Sequence, residues 1–200
     1  MIPPVFHLLA GPNGAGKSTL YRALVKEGHI SADLMFVNAD IHERNHLQHL
    51  LDPQQRSEAA RSWADVQRSK LLAARESFVS ETVFSHESKL ALIEVGLVQG
   101  YVVVLYIVAL DDPRRLLARV EGRVSEGGHD VPAEKILARY PRTLTNLAKA
   151  VELASVAFLY DAQELEQGGP KMVAMCNDKK VTVFVEQLPQ WATRVTGHAA

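Results

Sequence analysis

Residues 11 to 18 run Gly11-Pro12-Asn13-Gly14-Ala15-Gly16-Lys17-Ser18, satisfying the pattern G-x-x-x-x-G-K-S/T at every fixed position. No other stretch of the 200-residue chain limits its fold so tightly. An apolar run, Val5–Ala10, precedes the pattern and reads as a strand, and Lys17–Glu27 follows as a helix. The glycines allow backbone conformations in which successive N–H groups point into one concavity, and the helix N-terminus adds its positive dipole end. Such a loop is built for polyphosphate. Gly11, Pro12, Asn13, Gly14, Ala15, Gly16, Lys17, Ser18 and Thr19 are therefore the expected ATP-binding set. Lys17 is positioned to reach the β- and γ-phosphates, and the Ser18 hydroxyl to ligate Mg2+.

The rest of the chain alternates strand-like and helix-like segments. Leu34–Asn38, Phe78–Val83, Tyr101–Leu110 and Ser155–Tyr160 read as further strands, with helices over Pro53–Arg75 and Glu87–Gln99. Asp112 and Pro113 form an N-terminal helix signal after the fourth strand. Lys171–Cys176 and Lys180–Glu186 flank the polar turn Asn177-Asp178-Lys179 and read as a C-terminal hairpin. The expected fold is α/β: one domain over residues 1–200 with a mostly parallel five-stranded sheet, helices on both faces, a short lid near 119–142 and a hairpin near 170–187.

Charge narrows the function. Lys and Arg number 22 against 23 Asp and Glu, a net charge of −1, which argues against a chain that wraps nucleic acid by charge alone. The single cysteine, Cys176, excludes an intrachain disulfide and fits a reducing compartment. The longest apolar run, Tyr101 to Leu110, is too short to span a bilayer, so a cytoplasmic protein with no membrane partner is expected.

The P-loop class follows by elimination. The chain has no LSGGQ-type signature and no acidic strand end followed by a catalytic Glu, as a transporter ATPase would need, and no guanine-reading N-K-x-D. What remains is kinase-like. Asn38-Ala39-Asp40 ends the second strand, where the Asp40 carboxylate could accept the proton of an attacking hydroxyl, hold a water on Mg2+, or cap the next helix. Ser80-Glu81-Thr82 ends the third strand, and a Glu inside an apolar strand is costly unless it faces an opening, so Glu81 and Thr82 are read as substrate-facing. Arg119 and Arg123 on one helix, and Arg139 and Arg142 on the next, flank the glycine hinge around His129; together they read as an arginine-bearing lid over the triphosphate. Arg114 and Arg115 read as solvated.

In this order, GPNGAGKST, Asn38-Ala39-Asp40, Glu81-Thr82, Arg123-Val-x-x-Gly-Gly-His129-x-Val-Pro and Arg139-Tyr-x-Arg142-x-Leu-x-Asn-Leu, the chain resembles the zeta-toxin family of P-loop kinases over roughly residues 3 to 160. The resemblance implies ATP-Mg2+-dependent phosphorylation of a hydroxyl on a small metabolite, UDP-N-acetylglucosamine in the best-known members, and an antitoxin protein as partner. It implies Lys17 on phosphate, Asp40 as base, Glu81 positioning the sugar and Arg123 on the transferring phosphate. The second lid arginine of larger toxins is replaced here by His129, with Arg139 or Arg142 as substitutes, and their Glu-Gly-Thr is here Glu81-Thr82-Val83. Two other readings compete: a kinase of nucleic-acid 5′ ends, and a non-catalytic ATP-binding switch.

One further motif remains. His42-Glu43-Arg44-Asn45-His46 matches the zinc-protease pattern H-E-x-x-H, and His49 extends its face. No third ligand follows, and an exposed polar helix is expected. Trp63 is expected in the core rather than as a base-stacking platform, and Cys176 as a small buried hydrophobe.

Overall fold

The most β-branched segment of the chain sits where burial is greatest. Val102–Ala109 forms β4, and its last five residues, Leu105 to Ala109, are all buried. In this computed structural model, which describes residues 2–125 (without the side chains of 123–125), 132–165 and 169–198, β4 lies in the middle of a seven-stranded sheet. The other strands are β1 (Val5–Ala10), β2 (Met35–Val37), β3 (Phe78–Thr82), β5 (Val156–Asp161), β6 (Lys171–Asn177) and β7 (Lys180–Val183), in the order β2-β3-β1-β4-β5-β6-β7.

The first five strands pair in parallel, as the alternation of strands and helices implies. The sheet nevertheless has seven strands, not five. The C-terminal hairpin pairs antiparallel with β5, from Val156 opposite Asn177 to Asp161 opposite Lys171. The reason is apolar surface: Val173, Ala174 and Cys176 of β6 are 3, 0 and 7% exposed, and a hairpin standing apart would leave them wet.

Helices α1 (Lys17–Lys26), α2 (Ala39–His46), α3 (Pro53–Ala74), α4 (Leu90–Val98), α5 (Arg114–Ser125), α6 (Ala133–Leu153) and α7 (Gln190–Thr196) surround the sheet. On one side the Tyr21 ring of α1 stacks 3.9 Å from Phe36. On the other, α4 approaches closely enough at Gly96 that a Cβ there would meet Val103 at 3.2 Å and Phe6 at 3.5 Å. Helix α7 has no counterpart in the sequence reading. It is anchored at its start, where Asp111 accepts from the Gln190 and Trp191 backbone N–H groups, and Asp161 accepts from the indole N–H of Trp191 at 2.8 Å. Trp191 is 1% exposed, and Ala192 and Val195 are buried beside it, so the short helix docks through one apolar face led by the indole. Among the described residues no helix is long and apolar enough to cross a membrane.

Polar residues are rare in the sheet and carry a cost. His7 on β1 meets the Tyr106 hydroxyl at 3.2 Å, and burial pulls its pKa down to about 4 while pushing that of Tyr106 up to about 12. Cys176 is free and buried, as expected, and burial raises its thiol pKa.

Candidate functional site

The loop between β1 and α1 has the geometry its glycines predict. Gly11 sits at φ 147°, and a Cβ there would lie 2.0 Å from the Val108 carbonyl oxygen, so only glycine lets the loop pass this close to β4. Helix α1 starts at Lys17 behind Gly16, which has no side chain to cap it and sits in the left-handed region at φ 96°. Its first N–H groups therefore lack a side-chain cap at the loop, the arrangement that favours an anion.

Lys17 is only 6% exposed. Its ammonium donates to the Gly11 and Pro12 carbonyls at 3.0 Å each and lies 3.7 Å from the Glu81 carboxylate. Parallel pairing brings this about: Ala10, just before the loop, lies opposite Thr82, and Leu9 lies opposite Glu81, so the ends of β1 and β3 open on the same edge. Glu81 Oε2 accepts from the Ser18 hydroxyl at 3.0 Å and from the Asn38 amide at 2.9 Å. Beneath it, buried Arg68 of α3 donates to the Ser80 hydroxyl at 3.2 Å, and Ser80 donates to the Val37 carbonyl at 3.2 Å. Arg68 also pairs with Asp65. The ends of β2 and β3 are thereby tied together.

Asn38, 4% exposed, accepts from the Ile41 N–H at 3.1 Å and is the N-cap of α2. The capping role that was open for Asp40 therefore belongs to Asn38. Asp40 stands exposed in the first turn of α2, at the same edge of the sheet. Thr82 is half-buried at the end of β3. Two residues on, Phe84 is fully buried at φ 61°, a left-handed conformation uncommon for a phenylalanine, and buried Asn146 of α6 donates to its carbonyl at 2.9 Å. Asn38 and Asn146 carry no assigned role in the sequence. An N-cap signal ahead of Ala39 was available for the first; the second has partners visible only in three dimensions.

The lid candidates are less closely joined to this network. Arg119 reaches toward the Gln163 carbonyl at 3.5 Å, and Arg115, expected to be solvated, donates to the same oxygen at 2.7 Å. Arg114 is exposed and pairs with Asp112. Leu165, shortly after Gln163, packs over the loop, close enough that a Cβ on Gly16 would meet it at 2.8 Å. Arg139 is half-buried and Arg142 exposed on α6. His129 and the side chain of Arg123 lie outside the described residues.

The H-E-x-x-H segment has two of its groups engaged with helix α3. Glu43 is not solvent-facing, as an exposed polar helix would have it, but 7% exposed, with Arg56 Nε 3.5 Å away. The His42 ring stacks on Trp63 at 3.9 Å with an interplanar angle of 2°, and its pKa is lowered by burial and by the neighbouring His46. Trp63 is half-buried against the core, partly as expected, with His42 covering one of its faces. No group of three or more His, Cys, Asp or Glu among the described residues is arranged to hold a metal.

The comparisons with known proteins agree with the loop. The zeta toxin family model matches residues 2–165. Among solved structures, a chain of the AvrRxo1-ORF1:-ORF2 complex with ATP superposes with a TM-score of 0.69 at 18% identity, over 90% of this chain and 60% of that one. A chain of the PezAT chromosomal toxin–antitoxin system of Streptococcus pneumoniae superposes with a TM-score of 0.67 at 18% identity, over 98% and 84%. The chain thus spans about three-fifths of the length of the AvrRxo1 chain it matches. No curated protein matches it in sequence.

Proposed function

The chain belongs to the zeta-toxin family and has a P-loop kinase fold, and from that premise we propose that it transfers the γ-phosphoryl group of ATP to a hydroxyl of a small metabolite. The finer proposal is a nucleotide sugar as acceptor, with UDP-N-acetylglucosamine as the first candidate. The observation that carries the reading is the shared edge. Glu81 accepts from Ser18 of the phosphate loop and from Asn38 of the β2 end, so donor-side and acceptor-side residues form one connected set.

In this reading the loop amides and Lys17 hold the phosphates and neutralise charge as it shifts toward the leaving diphosphate. Asp40 takes the proton of the acceptor hydroxyl, which its exposed place in the first turn of α2 permits. Glu81 and Thr82 face the acceptor. Arg119, with Arg123, Arg139 and Arg142, belongs to the lid side, and His129 stands where larger toxins carry a second arginine. The donor set also fits Mg2+: the Ser18 hydroxyl and a Glu81 carboxylate oxygen are hard oxygen ligands 3.0 Å apart. When bound, the ion would offset negative charge on the phosphate oxygens of ATP.

The activity proposed is cytoplasmic, where ATP and nucleotide sugars meet. A protein partner of antitoxin type is part of the proposal, supported by the likeness to PezAT, itself described as a toxin–antitoxin system. The test is transfer from γ-labelled ATP-Mg2+ to a panel of nucleotide sugars, nucleosides and RNA 5′ ends. Label in a nucleotide sugar supports the full reading. Label only in RNA moves the chain to the nucleic-acid alternative, and ATP binding with no labelled product and no turnover makes it a switch module.

A further inference from the structure

We propose that Asn38 is a positioning residue for phosphoryl transfer, holding the helix that carries Asp40 in register with the strand end that carries Glu81. This inference rests on the phosphotransfer reading above. Asn38 is 4% exposed and uses both ends of its amide: Oδ1 accepts from the Ile41 N–H at 3.1 Å, and Nδ2 donates to Glu81 Oε2 at 2.9 Å, 43 positions away in sequence. Chemistry fixes this orientation, because a backbone N–H requires an acceptor and a carboxylate requires a donor.

The residue type follows from the same two demands. Ser, Thr, Asp and Asn all make good N-caps. Asp in this position would set a second carboxylate against Glu81, and the hydroxyls of Ser and Thr sit on a shorter stem. Asn alone among them caps with an oxygen and still offers a neutral N–H donor from the same planar group. The consequence is geometric. Asp40 lies two residues past the cap, so the turn that aims it is tied to Glu81, and through Glu81 to Ser18 and Lys17 on the phosphate loop. The base and the phosphate site are thereby linked through one buried side chain rather than through the sheet alone.

The experiment separates positioning from folding by splitting the two bonds. Asn38→Ser keeps a capping oxygen and loses the donor to Glu81; Asn38→Ala loses both. The expected result is a kcat fall of about a hundredfold in both variants, the size of effect that misplacing a reacting group brings. KM for ATP should stay within about twofold of the wild type, because phosphate binding to the loop does not use Asn38. Tm should fall in Asn38→Ala but hardly in Asn38→Ser. Combining Asn38→Ser with Glu81→Gln should cost no more than the larger single effect, because the two act as a unit. Wild-type kcat in Asn38→Ser, or a kcat loss confined to the variant whose Tm falls, overturns the proposal. A wild-type protein that binds ATP but turns nothing over defeats the phosphotransfer reading itself, and the inference falls with it.

Discussion

Two stretches of this chain carry catalytic-looking patterns within thirty residues of each other, and they end in opposite states. At the phosphate loop, Lys17 and Glu81 approach to 3.7 Å, and Glu81 also accepts from an exposed Ser18 and from Asn38, so polar groups from α1, the β2 end and the β3 end meet at one edge of the sheet. In the H-E-x-x-H turn, Glu43 is buried against Arg56 and His42 lies flat on Trp63, so the groups are engaged with the protein itself. A motif becomes a candidate site when its neighbours leave its polar atoms a common space, and a structural joint when they fill that space. The difference comes from what surrounds each motif: glycines that admit an anion in one case, a 22-residue helix that sets Trp63 against His42 and Arg56 against Glu43 in the other.

That contrast can be broken from either side. Lys17→Ala should lower ATP-dependent turnover about a thousandfold, comparable to removing a main electrostatic donor, with Tm little changed; retained turnover in a labelled-ATP assay would remove the loop from the chemistry. Asp40→Asn should lower kcat by about a hundredfold or more and leave ATP affinity alone, as loss of a general base does; the check is kcat against KM in the same assay. On the other side, Arg56→Ala should leave turnover in place and cost about 2 kcal/mol of stability, since it removes the cation 3.5 Å from a buried carboxylate. Denaturant unfolding reads that directly, and a normal midpoint would mean Glu43 does not depend on its arginine. The smallest effect is expected from His42→Ala and His46→Ala. Losing the stack on Trp63 should cost about 1 kcal/mol, and turnover should not respond to added zinc. Zinc-dependent activity lost in these variants would reverse the contrast altogether.

Much of this was legible from residue order because the decisive signals are local. The phosphate loop is a run of eight residues whose glycines meet a steric demand, and the parallel strands show as short apolar runs, most clearly the β-branched Val102–Ala109. Asp40 and Glu81 stand out in the sequence as polar residues after apolar runs, and the structure places Glu81 near the end of β3 and Asp40 in the first turn of α2. What was not legible depends on pairing over distance. The hairpin's place as strands six and seven is decided by the apolar residues of β6 meeting β5, and helix α7 is held by Asp111 and Asp161, far from it in sequence. The role of Asn38 is hidden likewise: a single amide has no periodicity, and its second partner lies at the end of another strand. The burial of Glu43 is hidden in the same way, since Arg56, which lies 3.5 Å from it, stands on the next helix.

The phosphate loop and Asp40 are proposed to act on one transferred phosphate. The most direct test is label transfer from γ-labelled ATP-Mg2+ to UDP-N-acetylglucosamine by wild-type protein and Asp40→Asn side by side, with ATP binding measured for both. The expected result is labelled nucleotide sugar from the wild type, little or none from Asp40→Asn, and equal ATP binding. Equal labelling by the two proteins would contradict it, because transfer would then proceed without the carboxylate on which the whole arrangement at the sheet edge is proposed to act.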